Sequence, residues 1–339
     1  MANISIIGGG AFGTAMACVT RRSGNDVLLW AREPEVVESI NAGQSNPHFL
    51  AGVELPAGIR ATGSLGEAVR DADLVLMAVP SQHMRTIAGE LRPALRRRMP
   101  VVSCSKGVET GSGQLMPEVL ADMLPESVIG VLSGPSFAAE IGRDLPCGVM
   151  LACKEWDIAE AASRSIANRH FCVHVSNDVV GAALAGAMKN VVSIASGIVH
   201  GRKLGENARA TIITLGLAEA ERLGLVKGAQ AETFVGLAGA GDFMLTANSL
   251  QSRNTSLGVA LAEGRRLADI LGERKQVTEG AATVGAVAGL ASRLRVEMPI
   301  TQALDGVLNH GVSIDDAIAS MLRHLPGFRF GRPRAAQPA

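Results

Sequence analysis

A glycine-rich stretch close to the N-terminus constrains the fold more than any other feature of this sequence. An apolar run at residues 3–7 leads into Gly8-Gly9-Gly10-Ala11-Phe12-Gly13, and residues 12–21 have a helical pattern. Gly8, Gly10 and Gly13 have the spacing G-x-G-x-x-G. Between a strand and a helix, these glycines permit a tight turn, close approach of a pyrophosphate, and close helix–strand packing. The stretch therefore predicts a Rossmann-like dinucleotide site in preference to a glycine-rich turn without a ligand.

The end of the second predicted strand, residues 27–30, bears on which dinucleotide is bound. NAD-binding folds often place an acidic residue there, about 20 residues after the glycines, to bind the ribose 2′-hydroxyl. Here Arg32 follows the strand and Glu33 comes next. Because a guanidinium can pair with a 2′-phosphate, the sequence favours NADP(H), while Glu33 keeps NAD(H) as the alternative.

The distribution of apolar runs predicts two domains. Up to residue 178, near-continuous apolar runs alternate with helical segments, which is typical of a mostly parallel sheet buried on both faces. We expect strands at residues 3–7, 27–30, 74–79, 101–103, 128–132, 149–152 and 172–175, with one short strand within 43–63. Alanine-, leucine- and glycine-rich stretches of helical period follow. The sequence thus predicts an α/β Rossmann-like domain over 1–178, an all-α domain over 179–330 and a flexible tail over 331–339.

Composition excludes several classes of protein. The 32 basic and 32 acidic residues give zero net charge, which argues against nucleic acid or an anionic membrane as the main partner. Residues 179–199 are long enough to span a membrane, but Lys189 near their middle predicts a buried helix instead. No secretory signal or C-x-x-C pair is recognised, so we expect a cytoplasmic protein without a metal site. Its five cysteines should be reduced and mostly buried: Cys18, Cys104, Cys147, Cys153 and Cys172.

Only six of the 32 basic residues are lysines, and two of those six lie in apolar stretches. Lys106 follows a predicted strand, at the sheet edge where open parallel sheets bind ligands. Lys189 lies in a predicted helix with no acidic residue three or four positions away. Burial would lower the pKa of such a lysine into the range useful for proton transfer. A loop lysine and a lysine that reaches solvent from a buried helix are the alternatives without function.

Three further segments are candidates for binding an anion. Ser252-Arg253-Asn254 combines a hydroxyl, a guanidinium and an amide, which together can hold a phosphate, although an exposed loop has the same composition. A second glycine-rich bend, residues 236–242, ends in the carboxylate of Asp242. The tight turn at residues 134–138 follows a strand and would place Ser136 over a ligand, although it is equally an ordinary strand-to-helix turn.

These motifs together resemble the bacterial and archaeal NAD(P)-dependent glycerol-3-phosphate dehydrogenases over about residues 1–330. The resemblance is carried by residues 8–14, 79–81, 105–107, 134–138, 189–190, 236–242, 252–254 and 277–280, whose order and spacing are specific. It implies a Rossmann-like domain and a helical domain with the active site between them. It also implies a homodimer or larger assembly that reduces dihydroxyacetone phosphate to sn-glycerol 3-phosphate for glycerophospholipid synthesis.

The same resemblance implies roles for individual residues. Lys189 corresponds to the catalytic proton acceptor. The substrate positions are Lys106, Gly134, Ser136, Lys189, Asp242, Ser252, Arg253 and Asn254. The dinucleotide positions are Gly8, Gly10, Ala11, Phe12, Gly13, Arg32, Lys106, Ala138, Arg253, Val277 and Glu279. Departures from the family pattern are Ala11 for a frequent serine, Ala240 for leucine, and Ala247-Asn248 for a Cys-Thr pair, and none of them removes a charged group.

Two other functions fit part of the sequence. A related two-domain hydroxy-acid dehydrogenase would share the dinucleotide site but would need a carboxylate site where this sequence offers a phosphate site. A non-catalytic NADP(H)-binding regulator would need only the glycine loop. That second function leaves Lys106, Lys189 and Arg253 without a task.

Overall fold

The structure is a computed structural model that describes residues 1–273 and 277–324. Within these residues, eight strands form one sheet: β1 (Asn3–Ile7), β2 (Asp26–Trp30), β3 (Ile59–Thr62), β4 (Leu74–Met77), β5 (Pro100–Ser103), β6 (Val128–Ser133), β7 (Cys147–Cys153) and β8 (Phe171–Ser176). Their order is β3-β2-β1-β4-β5-β6-β7-β8. Strands β1 to β6 are parallel to one another, and their order is that of dinucleotide-binding folds.

Both faces of this sheet are buried under helices, which explains why its strands have continuous apolar runs. Along β4, Leu74 and Leu76 pack into one hydrophobic cluster, whereas Val75 and Met77 pack into another on the opposite face. The helices of this domain are α1 (Ala11–Arg22), α2 (Pro34–Gly43), α3 (Leu65–Val69), α4 (Met84–Leu91), α5 (Met116–Met123), α6 (Ala138–Gly142) and α7 (Trp156–Ile166).

The sheet changes direction at β7, which is antiparallel to β6, and β8 is parallel to β7. The connection after β6 contains only the five residues of α6 as a helix. Strand β7 begins at the end of the sheet where β6 finishes, since Ser133 pairs with Met150 and Gly130 pairs with Cys153.

The chain is helical after β8 in the part that the structure describes. The helices are α8 (Val179–Gly201), α9 (Glu206–Val226), α10 (Ala231–Val235), α11 (Asp242–Ala247), α12 (Arg253–Ala262), α13 (Leu267–Glu273), α14 (Glu279–Arg293), α15 (Pro299–Asn309) and α16 (Ile314–His324). A π-helical turn, Leu237–Gly241, precedes α11. The fold is thus a Rossmann-like α/β domain followed by a helical domain, as predicted, and the predicted tail at 331–339 lies outside the described residues.

Helix α8 is the centre of the helical domain. It is long and apolar enough to cross a membrane, but 89% of its most apolar stretch is buried inside the protein, as expected for a core helix. Helix α12 crosses α8 at very short range. A Cβ added at Gly197 would lie 2.1 Å from the Thr255 carbonyl oxygen, and one at Gly258 would lie 2.1 Å from that of Ile194. This crossing brings the start of α12 next to the middle of α8.

The cysteines lie largely where burial predicts. Cys18, Cys104 and Cys153 are buried, Cys147 is half-buried, and Cys172 is exposed on β8; all five are free thiols. Burial raises the pKa of Cys104 to about 12, so this thiol stays protonated at neutral pH.

Candidate active site

The glycine loop has the geometry that a dinucleotide pyrophosphate needs. Gly8 has a φ of +125°, and a Cβ at this position would lie 2.5 Å from the Ala78 carbonyl oxygen. A Cβ at Gly13 would lie 1.9 Å from the Gly8 carbonyl oxygen, so α1 and β1 pack as closely as predicted. At Gly10 a Cβ would meet nothing within 4 Å, and α1 begins there without a side-chain cap. Open space in front of uncapped helix amides fits a bound phosphate.

Gly9 is a fourth glycine that the structure requires. A Cβ there would lie 2.5 Å from the Cβ of Ala31, just after β2. The end of β2 is therefore packed against the loop. Ala11, Phe12 and Ala138 lie near it as well, since all three pack against the same hydrophobic cluster and α6 packs on α1.

Arg32 extends from the end of β2 into solvent. Its side chain is 74% exposed, and its Nη2 lies 3.0 Å from the Glu33 Oε1. An exposed ion pair of this kind contributes about 0–1 kcal/mol, so the guanidinium is easily redirected to a phosphate. Two strands, β1 and β4, separate Arg32 from the strand that ends near Lys106. The structure thus places Arg32 at the predicted sheet edge but apart from the lysines.

The two predicted lysines meet at one buried carboxylate. Lys106 Nζ lies 2.6 Å from Asp242 Oδ2, and Lys189 Nζ lies 3.3 Å from Asp242 Oδ1. The Asp242 side chain is only 1% exposed. Lys106 follows β5, Lys189 is on α8, and Asp242 begins α11. Asp242 is therefore the acidic partner that α8 itself does not supply to Lys189.

Thr246 completes this lysine cluster. Lys189 Nζ donates a hydrogen bond of 2.9 Å to Thr246 Oγ1, which donates one of 3.1 Å to Asp242 Oδ1. Thr246 is absent from the residues predicted above. It could have been predicted from its position four residues after Asp242, because residues at this spacing lie on the same face of a helix.

Burial controls the charge of the lysine cluster. Burial lowers the pKa of Lys189 to about 8; the negative charge of Asp242 opposes this change, and the charge of Lys106 adds to it. Burial would raise the pKa of Asp242, but the two lysines outweigh it and hold that pKa below its usual value. At neutral pH, Lys189 is therefore protonated but close to its pKa, as suits a group that exchanges a proton.

The predicted turn after β6 also joins the lysine cluster. Lys106 Nζ donates to the Gly134 carbonyl at 2.8 Å and lies 3.4 Å from Ser136 Oγ. A Cβ at Gly186, on α8, would lie 3.3 Å from Lys106 Cγ, so this glycine gives the lysine its room. Lys106, Gly134 and Ser136 thus form one continuous surface at the carboxyl ends of β5 and β6.

The three side chains of the Ser252–Asn254 segment have different environments and different hydrogen-bond partners. Ser252 caps α12, since its Oγ accepts from the Thr255 amide at 3.2 Å. Asn254 is buried, and its Nδ2 donates to Asn190 Oδ1 at 2.7 Å. Arg253 is exposed at the first turn of the helix, where its guanidinium donates to the Val277 carbonyl. Ser252 and Asn254 therefore anchor the helix that presents Arg253.

Glu279 connects the helical domain to the sheet edge. Its carboxylate accepts hydrogen bonds from the backbone amide and the hydroxyl of Ser81, which follows β4. Val277, two residues earlier, is exposed beside Arg253. The predicted cofactor positions Val277 and Glu279 thus lie between the sheet edge and the start of α12.

A metal centre is not evident within residues 1–273 and 277–324, where no three His, Cys, Asp or Glu side chains are grouped to hold a metal ion. His170 and His174 are four residues apart, but His174 is on β8 and His170 immediately precedes that strand. In an extended chain, this spacing separates two residues by about 13 Å. The two imidazoles therefore do not form the paired ligands that the same spacing gives on a helix.

These observations define a class: oxidoreductases that combine a Rossmann-like domain carrying a dinucleotide loop with a helical domain carrying a buried lysine. Comparison with known proteins gives the family. Residues 3–159 match the model for the NAD-dependent glycerol-3-phosphate dehydrogenase N-terminus, and residues 178–319 match that for its C-terminus. The chain belongs to the NAD-dependent glycerol-3-phosphate dehydrogenase family.

Individual relatives agree with this assignment. The glycerol-3-phosphate dehydrogenase [NAD(P)+] of Rhodospirillum rubrum is 51% identical over 320 residues, which cover 94% of this chain and 92% of that protein. The enzyme of the same name from Parvibaculum lavamentivorans is 47% identical, with coverage of 94% and 96%. The crystal structure of glycerol-3-phosphate dehydrogenase from Coxiella burnetii has a TM-score of 0.91 and 34% identity, with coverage of 95% and 98%.

Proposed function

We propose that the protein reduces dihydroxyacetone phosphate to sn-glycerol 3-phosphate with NAD(P)H. The observation that carries this proposal is the cluster of Lys106, Asp242 and Lys189, which lies at the sheet edge that also carries the glycine loop. NAD(P)H, when bound, supplies the hydride. Every other task of the reaction falls to side chains of this chain: binding the phosphate, polarising the ketone and moving one proton.

Lys189 is the proton donor in this proposal. In the reducing direction, its protonated Nζ gives a proton to the alkoxide that develops from the ketone oxygen, and in the reverse direction neutral Nζ takes a proton from the alcohol. Asp242 keeps Nζ charged until transfer, because it stabilises the ammonium across 3.3 Å. Thr246 accepts from the same Nζ and fixes its direction.

Lys106 and Arg253 bind the charged parts of the substrate in this proposal. The Lys106 ammonium adds positive charge near the reacting oxygen, where it stabilises the developing negative charge. Arg253 holds the phosphate, a remote group whose binding fixes the ketone in position. Gly134 and Ser136 line the substrate, and Ser252 and Asn254 position the helix that carries Arg253.

We propose that NADP(H) is the preferred cofactor, on the basis of Arg32. Its contact with Glu33 is weak and exposed, so a 2′-phosphate would compete successfully for the guanidinium. The residues that we expect to hold the rest of the dinucleotide are Gly8, Gly10, Ala11, Phe12, Gly13, Lys106, Ala138, Arg253, Val277 and Glu279.

The wider organisation is also a proposal. We place the domain boundary at residue 178, which is supported by the end of β8 at Ser176 and the start of α8 at Val179. The homodimer and the supply of glycerol phosphate for phospholipid synthesis rest on the family resemblance. The proposed cytoplasmic location is supported by the five free cysteines.

The first experiment follows NADPH absorbance with dihydroxyacetone phosphate, in parallel with NADH and with unphosphorylated dihydroxyacetone. We expect fast turnover only with the phosphorylated ketone. Reduction of 2-keto acids instead would favour a hydroxy-acid dehydrogenase, and NADPH binding without turnover would favour a regulator. Lys189→Ala should lower kcat by at least about a hundredfold, the typical contribution of a general acid. Lys154→Ala removes an exposed lysine outside the site and is the matched control.

A further inference from the structure

Ser81 and Glu279 form a hydrogen-bonded bridge between the two domains, 198 residues apart in sequence. The Ser81 amide donates to Glu279 Oε1 at 3.0 Å, and the Ser81 hydroxyl donates to Glu279 Oε2. Ser81 is 1% exposed. It follows β4, the strand next to β1, where the strand order of the sheet reverses and dinucleotides bind in folds of this type. The bridge therefore stands at the centre of the binding edge.

The surroundings of Ser81 leave the bridge little freedom. A Cβ at Gly107 would lie 2.5 Å from Ser81 Oγ and 3.3 Å from Glu279 Oε2, so the glycine beside Lys106 is packed against the bridge. Gln82 holds the same turn, since its Nε2 donates to the Val108 carbonyl at 2.9 Å. A carboxylate that accepts two directed hydrogen bonds here has a defined position.

On the other side of the bridge, residues 277–280 are bound to the first turn of α12. The Val277 carbonyl accepts from the Arg253 guanidinium. The Gly280 amide donates to Asn254 Oδ1 at 3.1 Å, and a Cβ at Gly280 would lie 2.6 Å from that oxygen. The opposite charges of Glu279 and Arg253 also attract each other. Residues 277–280 thus link Ser81 to the side chain that we expect to bind the substrate phosphate.

We propose that Ser81 is a positioning residue that, through Glu279, sets the placement of Arg253 for the phosphate of the substrate. The proposal rests on the proposed function. Ser81 holds the Glu279 carboxylate on the sheet side. Without the hydroxyl, the carboxylate keeps one hydrogen bond and turns toward the Arg253 guanidinium, its nearest opposite charge on α12. Arg253 would then pair with Glu279, and its contact with the substrate phosphate would weaken.

The test is Ser81→Ala in the full-length protein, with KM and kcat measured for two substrates. For dihydroxyacetone phosphate, we expect KM to rise about tenfold, as for one hydrogen bond lost at a charged group. The inhibition constant of inorganic phosphate, as a probe of the Arg253 site, should rise in parallel. For unphosphorylated dihydroxyacetone at saturating NADPH, kcat/KM should change less than twofold, because that ketone does not use Arg253 and cofactor binding no longer limits the rate. Ser163→Ala, at a buried serine on α7, is the matched control and should change none of these values.

Glu279→Gln is the second variant and keeps the proposal testable if Ser81→Ala does not fold. Its amide can bond to Ser81 but carries no charge to compete for Arg253, so KM for the phosphorylated substrate should rise less than in Ser81→Ala. Equal losses with both ketones, or no change in either, would overturn the proposal. Failure of the wild-type protein to reduce dihydroxyacetone phosphate would instead refute the proposed function, and it would be seen before any variant is compared.

Discussion

Replacing Asp242 by asparagine would test how the lysine cluster is charged. Asp242 Oδ1 lies 3.3 Å from Lys189 Nζ, and the carboxylate is almost fully buried. At an effective dielectric constant near 20, two unit charges at this separation interact by about 5 kcal/mol, equivalent to about 3–4 pKa units. Relaxation of the surrounding protein and the dipole of the new Asn side chain reduce this value. We therefore expect the pKa of Lys189 to fall by at least about two units from its wild-type value of about 8.

The consequence is a shift of the pH profile. Reduction needs protonated Lys189, so the wild-type rate should be constant well below pH 8 and fall with a midpoint near pH 8, whereas oxidation of glycerol 3-phosphate should rise through the same pH. With a pKa of about 6, the charged fraction of Lys189 at pH 7 falls from about nine-tenths to about one-tenth. Asp242→Asn should therefore reduce the rate at pH 7 by about tenfold from this cause alone and recover part of it in acid.

A direct measurement is available because the chain has only six lysines. Enrichment with 13C at lysine Cε gives six resonances, and Lys189→Arg identifies that of Lys189. Its titration should move from about pH 8 to about pH 6 in Asp242→Asn. Asp269→Asn removes an exposed carboxylate on α13 and serves as the control. If Lys189 titrates at the same pH with and without the Asp242 charge, the electrostatic account of the cluster is refuted.

Three further predictions concern the cofactor loop, the cofactor preference and the helical core. Gly13→Ala would place a Cβ 1.9 Å from a carbonyl oxygen and should lower the free energy of unfolding by about 1–3 kcal/mol, measured with urea. Gly10→Ala, whose Cβ meets no atom within 4 Å, should keep the wild-type stability and weaken NADPH binding. Equal stabilities of the two variants would contradict this prediction. Arg32→Ala should raise KM for NADPH about tenfold and leave that for NADH unchanged; parallel changes would remove Arg32 from the 2′-phosphate site. Burial raises the pKa of Glu219 from 4.5 to about 7, although it accepts hydrogen bonds from Ile300 and Thr301, so the folded state binds the proton more tightly than the unfolded chain. As the pH rises from 4.5 to 8, the free energy of unfolding of the wild-type protein should thus fall by up to about 3 kcal/mol relative to that of Glu219→Gln. A difference between the two proteins that does not change with pH would exclude this titration.

The dinucleotide half of the site was predictable because its signals are local. The features that predict it are close together in sequence: an apolar strand, a glycine in the tight turn and a glycine at the helix–strand contact. Each of these constraints acts within about ten residues. Lys106 and Gly134 were predictable for a related reason, since parallel strands place their carboxyl ends at one edge.

The antiparallel direction of β7 and the partners of the two lysines were harder to predict from the sequence. An apolar run has the same pattern in either strand direction, so the sequence does not distinguish the antiparallel β7 from a parallel strand. Thr246 and Ser81 have partners that are far away in sequence. Thr246 contacts Lys189 on α8, and Ser81 contacts Glu279 on α14.

The sequence by itself determined the Rossmann-like domain, the helical domain and the candidates for phosphate and proton chemistry, because periodicity and glycine geometry act over short stretches of chain. Only the tertiary structure decided that Asp242 lies between Lys106 and Lys189, and that Glu279 connects Ser81 to the segment beside Arg253. Those contacts depend on how closely α12 crosses α8 and on where the helical domain meets the sheet edge. Burial and distance set the strength of electrostatic interactions, and both exist only once the chain is packed.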